Sequence, residues 1–257
     1  LSLSNRWHRA RVQFQLPNLI IAAGVLGIVV VVLILGVQRH YIGVSTAIFL
    51  VAFIPAVIFH EVSHGVVALW CGDDTAKRAG RLTLNPLRHI DPLGSIVVPI
   101  LMVLSGGPAF GWAKPVPVNV SRLRHPRDQA VLVSLAGPAT NIILAAIGGI
   151  AFHFLVGPHV LIGGQLYTQR SPDLVTQIAY YFGIVNVVLA VFNLIPIPPL
   201  DGSALLERLL PASVLPQYYR MRFAFIIIVL LLVFFDDSAL SQVLGHFETW
   251  FLEIFAR

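Results

Sequence analysis

The sequence predicts an all-α polytopic membrane protein, and three observations carry that prediction. Of 257 residues, 57% are hydrophobic and only 11% are charged, whereas a soluble domain carries about 25% charged residues. The apolar residues gather in runs long enough to cross a bilayer at 1.5 Å of rise per residue. The lysines and arginines sit in short segments between those runs, and no polar stretch is long enough to fold as an extramembrane domain. The net charge of +5 is therefore loop charge beside lipid headgroups, which argues against a nucleic-acid partner. A single cysteine, Cys71, excludes an internal disulfide framework and a cysteine-rich metal site.

Taken in order, the chain opens with Arg6, Arg9 and Arg11 among Trp7, Val12, Phe14 and Leu16, a basic lead-in to a first span over 18–37. That run is longer than a signal-peptide core, and no small-residue cleavage site follows it near Gln38-Arg39-His40. The second span, about 42–69, contains Pro55, which is expected to bend it. Residues 71–92 are polar. Within them the alternation over Arg81-Leu82-Thr83-Leu84 predicts a short strand, stopped by Asn85-Pro86. Residues 93–112 are apolar but hold Pro99, Pro108 and four glycines, which suits a re-entrant hairpin better than a straight span. The basic turn Arg122, Arg124, Arg127 follows.

Two clear spans come next, about 129–156 and 174–195, separated by a polar segment over 157–173. The second ends in Asn193-Leu194-Ile195-Pro196-Ile197-Pro198-Pro199-Leu200-Asp201-Gly202, where the prolines end the helix and leave Asp201 on irregular backbone. A short amphipathic piece, 203–210, leads to the apolar run 223–235. The last segment, 238–256, reads as either a final span or an interfacial helix.

Charge then sets the topology. If 93–112 crossed the membrane, the basic loops on either side of it would face opposite compartments and the bias would largely cancel. If it enters and returns, and the N-terminus is inside, 14 of the 17 lysines and arginines fall on the cytoplasmic side, as the positive-inside rule favours. Irregular backbone at membrane depth needs a surrounding cavity, and this arrangement brings the end of the second span to the same side as Asp201.

The chemistry concentrates in Phe59-His60-Glu61-Val62-Ser63-His64-Gly65. On a helix, His60 and His64 lie one turn apart on one face, where both imidazoles can reach one metal. Glu61 beside them can take a proton from water activated there. Ionisable residues inside a span are functional by default. A catalytic zinc takes three protein ligands and an open position, so a third ligand is required. Asp201 is the best candidate, with His89 and Asp91 as rivals. Asn141 and Asn193 lie at membrane depth, and each is either a helix-packing polar bond or a ligand for substrate. An unwound transmembrane segment is the expected substrate, and the strand at Arg81–Leu84 could pair with it. The alternative reading is a polytopic metal or solute transporter, which needs two-sided access and often an internal repeat; no repeat is visible.

These residues resemble the site-2 proteases, the intramembrane zinc metalloproteases. The resemblance rests on five motifs in order. They are the stretch 59–65, Asn85-Pro86-Leu87-Arg88-His89-Ile90-Asp91-Pro92-Leu93-Gly94, Gly111 to Asn119, Leu135-Ala136-Gly137-Pro138-Ala139-Thr140-Asn141, and Asn193 to Gly202. The resemblance implies zinc held by His60, His64 and Asp201, Glu61 as general base, and Asn193 in contact with substrate. It also implies about six transmembrane segments around a polar cavity, a small membrane-associated β-sheet and a re-entrant loop. The substrates it implies are transmembrane proteins cut within the membrane, while the charge topology gives the expectation of a cell-membrane protein with its active site opening to the cytoplasm. The chain reads as one domain over 1–257, with a catalytic core at about 42–210 and the sheet and re-entrant region at about 73–120. No PDZ-like insert separates the core spans.

Overall fold

The computed structural model describes residues 43–91, 113–162, 165–168, 172–211, 213–221 and 237–256, with a few isolated positions besides. Three long helices form its frame. Helix α1 runs Val44–Cys71 and continues through Pro55. It stops where Gly72, at φ 115°, turns left-handed and its N–H reaches back to the carbonyls of Ala68 and Leu69, a termination that glycine adopts without a Cβ penalty. The short α2, Thr75–Arg78, follows. Helix α3, Pro126–Leu155, begins on a proline, whose missing N–H costs nothing in a first turn. A β-hairpin of β1 (His159–Ile162) and β2 (Gln165–Thr168) leads on to α4, Leu174–Leu194. Asp173 caps α4 by accepting from the Thr176 N–H at 2.8 Å. The short α5, Ser203–Leu209, and α6, Asp237–Phe255, complete the labelled elements.

Helix α3 packs against both α1 and α4, and α1 also touches α4. The far face of α3 carries Ile142, Ile143, Ile147 and Ile150, all more than half exposed, as a lipid-facing helix surface would be. The buried residues divide into small clusters. Ala52, Ala56 and Val185 join α1 to α4, and Ala68, Cys71, Leu123 and Val133 join the end of α1 to the start of α3. The largest cluster is at the other end of α3, where Phe152, Val187, Phe251 and Leu252 gather.

Two expectations are corrected here. Among the described residues, three helices are long and apolar enough to cross a membrane, α1, α3 and α4, rather than about six. The runs 18–37 and 223–235, and almost all of the expected re-entrant piece 93–112, lie outside the described residues. Helix α6 is not among the three; it carries Asp237, His246, Glu248 and Glu253.

The membrane-associated sheet is the second correction. Residues 81–84 form no strand. The neighbouring extended segment, 113–119, contains Pro115 and Pro117, which cannot donate to a ladder. Its carbonyls at Lys114 and Pro115 are taken instead by the Arg81 guanidinium, at 2.7 and 3.3 Å. The β1–β2 hairpin is the one sheet among the described residues, and it follows the far end of α3, away from the 73–120 region. With no strand at Arg81–Leu84, substrate pairing at that edge loses its basis.

Candidate metal centre

His60 and His64 project from the same face of α1, their ring centroids 4.7 Å apart. Both are buried, at 7% and 8% exposure. Asp201 reaches them from the turn after α4. Its Oδ2 lies 3.0 Å from His60 Nε2 and 3.4 Å from His64 Nε2. One donor atom from each residue falls within 4.8 Å of the others.

The return of the chain after α4 makes this possible. Pro196, Pro198 and Pro199 stop the helix, and the Gly202 N–H then bonds back to the Asn193 carbonyl at 2.6 Å, closing the loop that carries Asp201. Tyr218 pins it from outside, its hydroxyl donating to the Pro196 carbonyl at 2.8 Å.

The residues present fit a divalent cation. Asp201 Oδ2 is buried with no hydrogen-bond partner, a costly state for a carboxylate oxygen unless a cation completes it. Each imidazole is held through its other nitrogen. His60 Nδ1 lies 2.5 Å from Asn141 Oδ1, and His64 Nδ1 lies 2.7 Å from the Val133 carbonyl. Both contacts place the proton on Nδ1 and leave Nε2 free as a ligand, the usual outer arrangement of metal-bound histidine. Gly137 completes the cradle. A Cβ there would come within 2.6 Å of ring atoms of both histidines, so only glycine lets α3 approach this closely.

Glu61 faces the same cavity, about 350 Å³ in volume, which Asn193, Pro115, Val116, Ser134 and Glu207 also line. Its Oε2 accepts from the Val116 N–H at 2.7 Å. Val116 is itself placed by Arg81, which grips the two preceding carbonyls. Asp73 holds the other end of the segment, accepting from the Asn119 N–H at 2.6 Å.

The remaining candidates fall elsewhere. Asn193 lines the cavity while its Nδ2 donates to the Leu189 carbonyl at 2.9 Å. Asn141 is fully buried and does not line the cavity; its Nδ2 donates to Asn186 Oδ1 at 2.6 Å. The two rivals for third ligand are occupied with their own loop. His89 Nε2 bonds the Thr83 carbonyl at 2.8 Å, and Asp91 accepts from the Gly94 N–H at 2.8 Å. Burial pushes the His89 imidazole below the usual histidine range. The sequence reading placed Arg81 only in the expected strand and Val116 and Gly137 only within motifs, and it gave Asn186 no role at all. Gly137 and Asn186 had a visible signal, a glycine and an amide inside apolar spans; the backbone amide of Val116 had none.

Comparison with known proteins agrees with this geometry. Residues 48–234 match the model of Peptidase family M50. YwhC of Bacillus subtilis, whose name places it among candidate zinc metalloproteases, is 42% identical over 187 residues, covering 71% of this chain and 78% of its own. Rip2 of Mycolicibacterium smegmatis, named in the same way, is 30% identical over 216 residues, 83% of this chain and 75% of its own. Rip3 of Mycobacterium tuberculosis, also so named, is 28% identical over 169 residues, 66% of this chain but 32% of its own. No solved structure matches the chain.

Proposed function

This chain belongs to peptidase family M50, the zinc metalloproteases, and from that premise we propose that it cuts membrane-embedded protein substrates at the cavity holding His60, His64 and Asp201. The observation that carries the proposal is the depth of the site. His64 precedes the end of α1 by seven residues and His60 by eleven, which places them roughly 10 to 17 Å along the helix from its terminus. A polar cavity set that far inside a helix able to span a bilayer supports a substrate that is itself in the bilayer.

In this reading His60, His64 and Asp201 hold one zinc, which when bound would polarise the scissile carbonyl and make water a better nucleophile. Glu61 takes the proton from the attacking water and passes it to the leaving amine. The Val116 N–H holds one carboxylate oxygen of Glu61, which leaves the other for that proton. Asn193 offers its side-chain carbonyl to a substrate N–H, which is available only where the substrate helix has unwound. Arg81 acts at a distance, keeping the 113–119 segment against Glu61. The charge distribution supports an opening to the cytoplasm and a place in the cell membrane.

The test is cleavage of a model transmembrane substrate by the purified protein and by Glu61→Gln, with bound zinc measured in both. Loss of cleavage by about 10²- to 10⁴-fold with zinc retained is the expected result. Cleavage that survives the substitution would sink the assignment of Glu61.

A further inference from the structure

We propose that Asn186, in the middle of α4, is a positioning residue for the metal centre and acts through Asn141 on His60. The inference rests on the zinc reading above and adds a residue to it.

The side chains concerned form one directed chain. His60 Nδ1 lies 2.5 Å from Asn141 Oδ1, an acceptor, so with a metal on the Nε2 that faces Asp201 the ring proton is on Nδ1 and is donated to Asn141. That bond fixes the Asn141 amide, because its oxygen is then committed to His60 and its Nδ2 must face the other way. Nδ2 donates to Asn186 Oδ1 at 2.6 Å. This in turn fixes Asn186, whose Nδ2 donates to the Phe182 carbonyl of its own helix at 2.8 Å. Flipping either amide would set N–H against N–H or oxygen against oxygen, so the anchor on α4 determines the orientation of a ligand on α1.

Both asparagines are completely buried. A buried amide between membrane helices ordinarily serves as packing glue, at about 0.6 to 2 kcal/mol. Glue alone requires neither this direction nor an end on a metal ligand. His64 offers the contrast: its Nδ1 is held by a backbone carbonyl, that of Val133, which α3 supplies whatever the side chain. His60 depends on two side chains in series. Helix α4 thus has two connections to the centre, through Asn186 to His60 and through its C-terminal turn to Asp201.

The experiment uses the purified full chain in detergent micelles with Co²⁺ as the probe. It measures affinity by chelator competition, the visible absorption of bound Co²⁺, and thermal unfolding. Asn186→Leu is expected to weaken Co²⁺ binding about 10- to 100-fold and to alter the Co²⁺ spectrum. Asn141→Leu should weaken binding at least as much. The double variant should match Asn141→Leu alone, because Asn186 has no other route to the metal. Asn186→Asp, which keeps an oxygen to accept from Asn141 Nδ2, should lose clearly less affinity than Asn186→Leu. Should Asn186→Leu fail to fold, Asn186→Ala carries the same expectation. Wild-type affinity and spectrum in Asn186→Leu, with only a lower unfolding temperature, would overturn the proposal in favour of helix packing. Losses that add in the double variant would overturn it too. Wild-type protein whose Co²⁺ binding is indifferent to His60→Ala and Asp201→Ala would overturn the zinc reading beneath it.

Discussion

Midway along α3, the buried residues facing α1 and α4 include histidines and asparagines; at its far end they are apolar and aromatic. The first region holds His60, His64, Asn141 and Asn186 at no more than 8% exposure, and they hydrogen-bond across three helices. The second holds Phe152 and Phe251, tilted against each other with centroids 6.1 Å apart, and the Tyr180 ring packed on both. Beside it lies a cavity of about 780 Å³, lined by Tyr180, Gln177, His246 and Glu248 among others. That is more than twice the volume at the metal centre, yet none of the metal-competent clusters among the described residues falls there. The Tyr180 hydroxyl and the Glu248 carboxylate satisfy each other. What marks the smaller cavity as the chemical one is convergence of donors on an unpartnered carboxylate oxygen, and volume contributes nothing to that.

This contrast breaks if carboxylates at the two cavities prove equivalent. Glu61→Gln should lose cleavage by about 10²- to 10⁴-fold, whereas Glu248→Gln should stay within about twofold, since an exposed side chain far from the site has little to change. Next in size is the pair of glycines. Gly137→Ala puts a methyl against both imidazoles, and zinc content and cleavage should fall together by at least about tenfold. Gly148→Ala puts one 2.7 Å from the backbone nitrogen of Gly183 on α4. Thermal unfolding should report a loss of about 1 to 3 kcal/mol there, with zinc retained.

Phe251→Ala sharpens the same contrast without touching a glycine. The side chain is fully buried, so its removal should cost about 3 to 5 kcal/mol, and a zinc assay on the folded fraction should return wild-type stoichiometry. A fall in zinc there would mean that the two regions are coupled more tightly than their contacts suggest.

The smallest effect concerns Asp73, outside the spans. Burial works against its charge, but the Thr75 hydroxyl and amide and the Asn119 amide all donate to it and hold its carboxyl below the usual range. A folded value below the unfolded one contributes stability that is complete above the unfolded pKa, about 3.9, and is lost as pH falls through the folded value. Asp73→Asn should therefore unfold more easily near neutrality, and its deficit against wild type should shrink below about pH 4. A deficit that is flat with pH would mean that the carboxylate charge contributes nothing.

Some of this was legible from residue patterns because the governing interactions are local. The long helices at α1, α3 and α4 follow from apolar length, and the end of α4 from Pro196, Pro198 and Pro199. The His60–His64 pair follows from helical spacing. Asp201 was legible because prolines placed a lone carboxylate after a span. The hairpin at 159–168 was missed, although Gly163-Gly164 between Val160-Leu161-Ile162 and Leu166-Tyr167 is a turn signal of the right length. The strand expected at Arg81–Leu84 failed because alternation says nothing about whether a partner can donate, and Pro115 and Pro117 cannot.

The sequence by itself determined the membrane class, the metal ligands worth considering and the carboxylate beside them, since helical spacing and residue chemistry are enough for that. It could not say which nitrogen of His60 faces the metal, what holds Glu61 still, or that Asn141 turns away from the cavity toward Asn186. Those depend on contacts between α1, α3, α4 and the 113–119 segment, from residues 45 to 81 positions apart in the chain. Only the tertiary structure decides such contacts, because hydrogen-bond direction is set by the partner that packing supplies.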